Sequence, residues 1–205
     1  MKKVILKKNL LSSLACGLFL LGFAVSGNAV VINFDDHPDA AQGSYGAIGS
    51  NYHGFDFGAT NGFNRMDWVD TVASSWPFGA HSGDFTMLNN YGGDALITQS
   101  GGGAFTFTGL WIEGWGNYVQ NGYLEGFLGS VSQYSTSFIA GSTFGYVAGS
   151  SILIDQLRIH TDQNFLVDDL ELNGHSQSVP EPGTLLLLGF GLAGLSAFRK
   201  RFALK

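Results

Sequence analysis

The stretch NFLVDDLELN at residues 164–173 decides the fold of this 205-residue chain. Phe165 and Val167 have the spacing of one face of a strand, but Leu170 and Leu172 continue on the opposite parity. A regular strand would place one of these pairs in water, whereas a one-residue bulge at 168–169 keeps both pairs in the core. The stretch therefore predicts a bulged strand with one buried face.

Two further stretches change parity in the same way. AFTFTGLWIEGW at 104–115 changes around 108–109, and ILIDQLRIHT at 152–161 changes around 155–156. We expect a bulge at each position, so that the apolar residues on both sides of it face the core.

The remainder of residues 30–178 also has β character. No window in it shows sustained helical periodicity, and turns rich in glycine and asparagine separate short runs of β-branched and aromatic residues. The predicted strands are 30–34, 52–57, 84–88, 95–99, 104–115, 122–128, 132–139, 152–161 and 164–173. Residues 60–82 are predicted to form a long loop. About nine strands in one domain predict an all-β fold, an antiparallel two-sheet sandwich of the jelly-roll kind.

Residues 1–29 are predicted to be a signal peptide. A lysine-rich start precedes an apolar segment at 10–25, and Gly27 and Ala29 supply the small residues expected at a cleavage site. Cleavage after Ala29 would remove Cys16, the one cysteine of the chain. The exported protein would then fold without a disulfide.

Residues 179–205 form a second targeting segment with three parts in order. A Pro-Glu-Pro box comes first, then an uncharged run at 185–198, then a basic cluster. The residues of the box and of the cluster are Pro180, Glu181 and Pro182, and Arg199, Lys200 and Arg201. The prolines keep the box extended, and the run forms one hydrophobic helix about 21 Å long, which needs flanking residues to span a ~30 Å hydrocarbon core. The basic end is expected to stay cytoplasmic, and a permanent membrane anchor is the alternative.

This arrangement resembles the PEP-CTERM sorting signal of exported Gram-negative bacterial proteins, also described as an ice-binding-protein C-terminal domain. The resemblance implies cleavage by an exosortase-type membrane protease after a transient stay in the inner membrane. It also implies delivery to the cell surface or the extracellular matrix. Residues 105–173 resemble the mature domains of other PEP-CTERM proteins, which implies a sandwich like that of carbohydrate-binding modules, with no established activity.

Most basic residues of the chain lie in the two targeting segments. Residues 30–178, the predicted mature domain, keep only Arg65 and Arg158 against fifteen acidic residues, a net charge of −13 compared with −6 for the whole chain. Such a surface argues against nucleic acid and anionic lipid as partners. It suits an extracellular protein that can hold cations, although acidic composition can also serve solubility alone.

The best ligand-binding candidates are Trp111, Glu113 and Trp115. If Gly109 lies in a bulge, Ile112 faces the core and the three candidates project together from the outer face, about 6.6–7 Å apart per step. Two indoles with a carboxylate between them suit a sugar ring, because its CH faces stack on the indoles and its hydroxyls donate to the carboxylate. The alternative is that Trp111 continues the core face and Trp115 caps the strand.

Motifs for enzymatic chemistry are missing from the sequence. It has no nucleophile elbow, no His-Glu-x-x-His and no phosphate-binding glycine loop. Glu113 and Glu125 are the one pair of carboxylates considered for glycoside hydrolysis. We therefore predict no catalytic residues and a noncatalytic module that contacts polysaccharide, with the protein's own exopolymer as the expected partner. The alternatives are a structural matrix protein without a defined ligand and a glycoside hydrolase.

A structural calcium site is predicted where the first and last strands of the sandwich meet. Asp35 and Asp36 end the first predicted strand, and Asp168 and Asp169 lie in the last. Carboxylates that converge without basic partners repel one another, and a cation with six to eight oxygen ligands would relieve that repulsion. The alternative is two solvated acidic strand ends.

Overall fold

A computed structural model describes residues 28–174 except Ser74 and Pro77. Most of the predicted signal peptide and the whole segment 179–205 lie outside the described residues. Within the described part, no helix has the length and apolar character needed to cross a membrane. Asn28 and Ala29 belong to the first strand, so cleavage after Ala29 would leave Val30–Ile32 of it.

The described residues form twelve β-strands, and a short 3-10 turn at Trp115–Asn117 follows the seventh. The strands are β1 (Asn28–Ile32), β2 (Tyr45–Ala47), β3 (Phe55–Ala59), β4 (Asp67–Asp70), β5 (Phe85–Leu88), β6 (Ala95–Gln99), β7 (Phe105–Gly114), β8 (Gln120–Leu128), β9 (Val131–Ala140), β10 (Gly145–Ile154), β11 (Gln156–Thr161) and β12 (Phe165–Gly174).

The strands pair into two antiparallel sheets. The seven-stranded sheet has the order β10-β7-β12-β5-β4-β2, and β1 pairs with the second half of β12. The five-stranded sheet has the order β3-β6-β11-β8-β9. The predicted all-β, two-sheet antiparallel sandwich is confirmed.

Two of the three predicted bulges are confirmed where β12 pairs with β7. Asp168 pairs with Trp111 and Glu171 with Gly109, so β12 carries one extra residue, and Asp169 has a φ of 43°. Leu172 pairs with Phe107, so β7 then carries the compensating extra residue at 108. Each bulge reverses the parity of its own strand, so both strands bury both of their apolar pairs.

The third predicted bulge is wrong, because the chain changes sheets there. β10 ends at Ile154 and pairs with β7, whereas β11 begins at Gln156 and pairs with β6 and β8 of the other sheet. The two sheets face each other across one core, so a strand that crosses between them must reverse its buried parity. Ile154, Leu157 and Ile159 are buried, but Ile152 is exposed.

Three strands were not predicted as such, namely β2, β4 and β10. The predicted loop at 60–82 contains β4, whose four residues are all buried. The predicted strand at 152–161 joined the end of β10 to β11.

The main core fills the space between the sheets. Phe105 and Phe107 of β7 are fully buried, and the Phe105 ring lies edge-on to that of Phe55 with the centroids 5.3 Å apart. Fully burying one such side chain stabilises a fold by about 1.5–3 kcal/mol.

A smaller apolar cluster lies on the outer face of the seven-stranded sheet. Val69, Leu88 and Leu166 form its buried base, and Phe78 and Trp115 pack against it. Phe78 belongs to the connection between β4 and β5, so that connection covers part of the outer face.

Candidate functional site

Trp111 and Glu113 flank Ile112 near the end of β7, and Trp115 follows directly after the strand. Ile112 points into the main core. Trp111 and Glu113 therefore point to the outer face, and Trp115 begins the 3-10 turn beyond β7 and joins the outer cluster.

Side chains of the same protein cover this surface. The His81 ring stacks on Trp111 with 3.7 Å between centroids and 13° between planes. Phe78 meets Trp115 edge-on at 4.6 Å, and the Trp76 ring lies 6.1 Å from Trp115. The imidazole thus occupies a position where a sugar ring would stack on Trp111.

Glu113 is buried between the two tryptophans, with only 2% of its surface exposed. The backbone N–H of Phe144 donates to its carboxylate, and Oε1 has no hydrogen-bond partner. Burial raises the pKa of Glu113 to about 7. At neutral pH a substantial fraction of this group therefore carries a proton.

Glu125, the other carboxylate considered for hydrolysis, lies in the other sheet. It pairs with Arg158 in the register of β8 and β11 and points away from the buried Leu124. Glu113 and Glu125 thus face opposite sides of the sandwich, with the core between them. The structure does not bring them together as a pair.

Asp35 and Asp36 form separate contacts after β1. One oxygen of Asp35 accepts hydrogen bonds from the backbone N–H groups of Asp84 and Phe85, at 2.8 and 3.1 Å. Asp36 accepts from the Tyr52 hydroxyl at 2.5 Å, and this hydrogen bond is the main reason that the pKa of Asp36 is lowered.

Asp168 and Asp169 lie at the bulge of β12. They contact His81 and Ser82, which belong to the connection between β4 and β5. Asp168 is fully buried, and its Oδ2 accepts from the backbone N–H of Ser82 at 2.8 Å. Asp169 accepts from the Ser82 hydroxyl at 2.8 Å and lies 2.6 Å from His81 Nδ1. Burial raises the pKa of Asp168 to about 7.

Asp35 and the Asp168–Asp169 pair therefore reach the segment 81–85 from its two ends. Asp36 does not reach it and contacts Tyr52 and His53 instead. Asp35 lies against Gly83, where a Cβ atom would stand 1.8 Å from Oδ2. Among the described residues, however, no three His, Cys, Asp or Glu side chains are grouped so that they could hold a metal ion. The calcium site stays a prediction.

An open groove of about 600 Å³ lies on the outer face of the five-stranded sheet. Residues of β8, β9 and β11 line it, and they include both polar and apolar side chains. The lining residues include Asn121, Tyr123, Ser137, Ile139, His160 and Asp162.

The groove contains a fixed aromatic pair. Tyr123 and His160 are neighbours in the register of β8 and β11, and their rings stack 4.6 Å apart at 25°. Nδ1 of His160 lies 2.6 Å from Oδ1 of Asp94, which is buried. The other oxygen of Asp94 accepts from Arg158 Nε at 2.5 Å, and the guanidinium lies 5.9 Å from the Tyr123 ring centroid.

This arrangement fixes the orientation of both rings without using all of their polar atoms. Nδ1 of His160 forms its hydrogen bond with Asp94, so Nε2 of His160 is the ring nitrogen that a ligand could contact. The carboxylate of Asp94 is balanced by Arg158, and Asp162 adds one further carboxylate to the lining. The site therefore combines aromatic rings with several hydrogen-bonding groups.

This groove was not predicted from the sequence. The alternation of side chains along a strand does indicate that Tyr123 and Glu125 of β8 point away from the core. It indicates the same for Arg158 and His160 of β11. It gives no register between β8 and β11, and it does not connect Asp94 to a histidine 66 positions later.

Comparison with known proteins confirms the C-terminal motif. Residues 178–201 match the PEP-CTERM protein-sorting motif, so the chain carries this sorting signal. No curated protein sequence matches the chain.

Several solved structures resemble the described domain weakly. A DUF4465 protein from Bacteroides caccae is 12% identical with a TM-score of 0.43, covering 71% of this chain and 98% of that one. The CBM22-1 xylan-binding domain of Xyn10C from Paenibacillus barcinonensis is 10% identical with a TM-score of 0.41, covering 73% and 96%. TmCBM61, solved with β-1,4-galactotriose, is 11% identical with a TM-score of 0.34, covering 65% and 98%.

Proposed function

We propose that this protein is an exported, noncatalytic module that contacts neutral polysaccharide through the groove of the five-stranded sheet. The observation that carries the proposal is the Tyr123–His160 stack, held in place by the buried Asp94. Because the rings are fixed before binding, a sugar that stacks on them orders few side chains.

The chemistry of the groove fits sugar hydroxyls. Asn121, Ser137 and Asp162 offer donors and acceptors around the aromatic pair. The strongly negative domain would repel an anionic polymer, which favours a neutral one. The protein's own exopolymer is the partner that we expect.

Calorimetric titration with extracted exopolysaccharide tests this function. We expect Tyr123→Ala to weaken binding about tenfold, or ~1.4 kcal/mol, through the loss of the stacking face. Tyr118→Ala, at an exposed tyrosine outside the groove, is the matched control and should bind as the wild type does. Equal binding by both variants would reject the groove, and an absence of binding by the wild type would favour a structural matrix protein.

The surface around Trp111, Glu113 and Trp115 is a second candidate for the same function. The unpaired Oε1 of the buried Glu113 favours it, because a sugar hydroxyl could donate to that atom. Binding there would require His81 to leave the Trp111 ring. Turnover of the polysaccharide, lost in Glu113→Gln, would instead support the hydrolase alternative.

Export and sorting form the other half of the proposal. We propose that an exosortase-type protease cuts the chain near 180–182, after a membrane-anchored intermediate, and that the product reaches the cell surface or matrix. The matched sorting motif at 178–201 supports this route. Mass spectrometry of the surface-localised protein from its native host is the test. We expect a chain that ends near the Pro-Glu-Pro box, and an intact tail at 199–205 would indicate a permanent anchor.

A further inference from the structure

The edges of the five-stranded sheet are unequal. At one edge, β3 has five residues and includes the charged Asp56. At the other edge, β9 has ten residues and pairs only with β8 among the strands described. One long row of backbone N–H and C=O groups of β9 therefore pairs with no other strand in the described part of the chain.

The sequence of β9 lacks the residues that usually protect such an edge. VSQYSTSFIA contains no charged residue, no proline and no glycine, and residues 131–154 as a whole contain no charge and no proline. Strand edges in natural proteins are commonly protected by lysine, proline or a bulge. Val131 and Ile139 are instead 62% and 67% exposed.

The neighbouring edge strand of the other sheet is less suited to pairing. The register of β10 against β7 shifts between Ser150 and Ile154, which distorts its outer edge. In β9 the one irregularity lies between Ser132 and Tyr134, so residues 134–140 remain regular against β8.

We propose that β9 pairs in antiparallel fashion with β9 of a second copy of this chain, which gives a two-fold dimer with a continuous ten-stranded sheet. A two-fold axis at Ser137, the middle of 134–140, places Ser137 opposite its own copy and Ser135 opposite Ile139, and it brings no charge against a like charge. Elsewhere, two domains of net charge −13 repel each other, so an uncharged edge is where they can approach. Ser137 and Ile139 also line the groove, so the dimer would set two grooves beside one seam.

This inference does not rest on the proposed function, and the oligomeric state tests it. Analytical ultracentrifugation of the protein from its native host should show a monomer–dimer equilibrium that shifts toward dimer as salt screens the negative charge. Ile139→Lys should weaken the dimer at least tenfold. Val31→Lys and Ile152→Lys add the same charge at exposed sites on β1 and β10, and they should leave the dimer unchanged. A wild type that stays monomeric, or equal dissociation by Ile152→Lys, would overturn the proposal.

Cross-linking provides a second readout that does not depend on the lysine variants. Under oxidation, at least one of Ser135→Cys, Ser137→Cys and Ile139→Cys should form a disulfide-linked dimer, because these exposed residues share one face of β9 and the one at the two-fold axis lies opposite its own copy. Val31→Cys should not. Failure of all three to cross-link would overturn the β9 pairing.

Discussion

Replacement of Gly83 by alanine should destabilise the fold by about 2–4 kcal/mol. Gly83 has a φ of +59°, a region that costs an L residue roughly 1–2 kcal/mol. Its new Cβ would also stand 1.8 Å from Oδ2 of Asp35, so that carboxylate must move. The movement breaks the hydrogen bonds from the N–H groups of Asp84 and Phe85, each worth about 1 kcal/mol or more.

Thermal and urea unfolding of wild type and variant measure this cost. For a domain of this size we expect the unfolding midpoint to fall by roughly 5–15 °C. Gly49→Ala is the matched control, since Gly49 has a φ of +79° and no atom within 4 Å of the new Cβ, so it should show the backbone cost alone. In an Asp35→Ala background, Gly83→Ala should cost no more than that control. If Gly83→Ala and Gly49→Ala cost the same in the wild-type background, the proposed contact of Asp35 with this segment is wrong.

Two further predictions concern the buried carboxylates. The pKa of Glu113 is raised to about 7, so the folded state holds this proton more tightly than the unfolded state does. The resulting contribution to stability is fully present below about pH 4.5 and is lost as the pH rises through 7. Glu113→Gln should therefore gain roughly 1–3 kcal/mol relative to wild type between pH 5 and pH 8 in urea unfolding, and parallel pH profiles of the two proteins would contradict this. The predicted calcium site should raise the unfolding midpoint in millimolar calcium relative to chelator. That shift should vanish in Asp168→Ala, and an equal shift in the variant would exclude Asp168 as a ligand.

The hydrophobic pattern predicted the buried faces more reliably than it predicted which sheet a strand joins. Phe165, Val167, Leu170 and Leu172 required a bulge, and the bulge is present. The same pattern around Asp155 marks a crossing between sheets, because both events reverse the buried parity. Local sequence cannot separate the two.

Burial on both faces explains why β4 was missed. Trp68 faces the main core, and Val69 lies under the connection between β4 and β5, so DWVD shows no alternation of apolar and polar residues. Strand prediction from alternation depends on one face remaining in water.

The candidate ligand surface was predicted only in part. The outward direction of Trp111 follows from Ile112 and the bulge, but the cover over it does not. His81 lies 30 positions earlier, and Asp169, which holds His81, lies 88 positions after it. Such contacts depend on the path of a long connection, which strand periodicity does not describe.

One experiment tests the central claim most directly, because all four tryptophans lie on or beside the seven-stranded sheet. Trp68 is in β4, Trp76 is in the connection that follows it, and Trp111 and Trp115 lie in and after β7. Tryptophan fluorescence should be recorded together with binding heat while extracted exopolysaccharide is added. Binding through the Tyr123–His160 groove predicts heat without a change in tryptophan emission. Quenching that disappears in Trp111→Ala would place the polysaccharide on the opposite face of the sandwich and contradict this account.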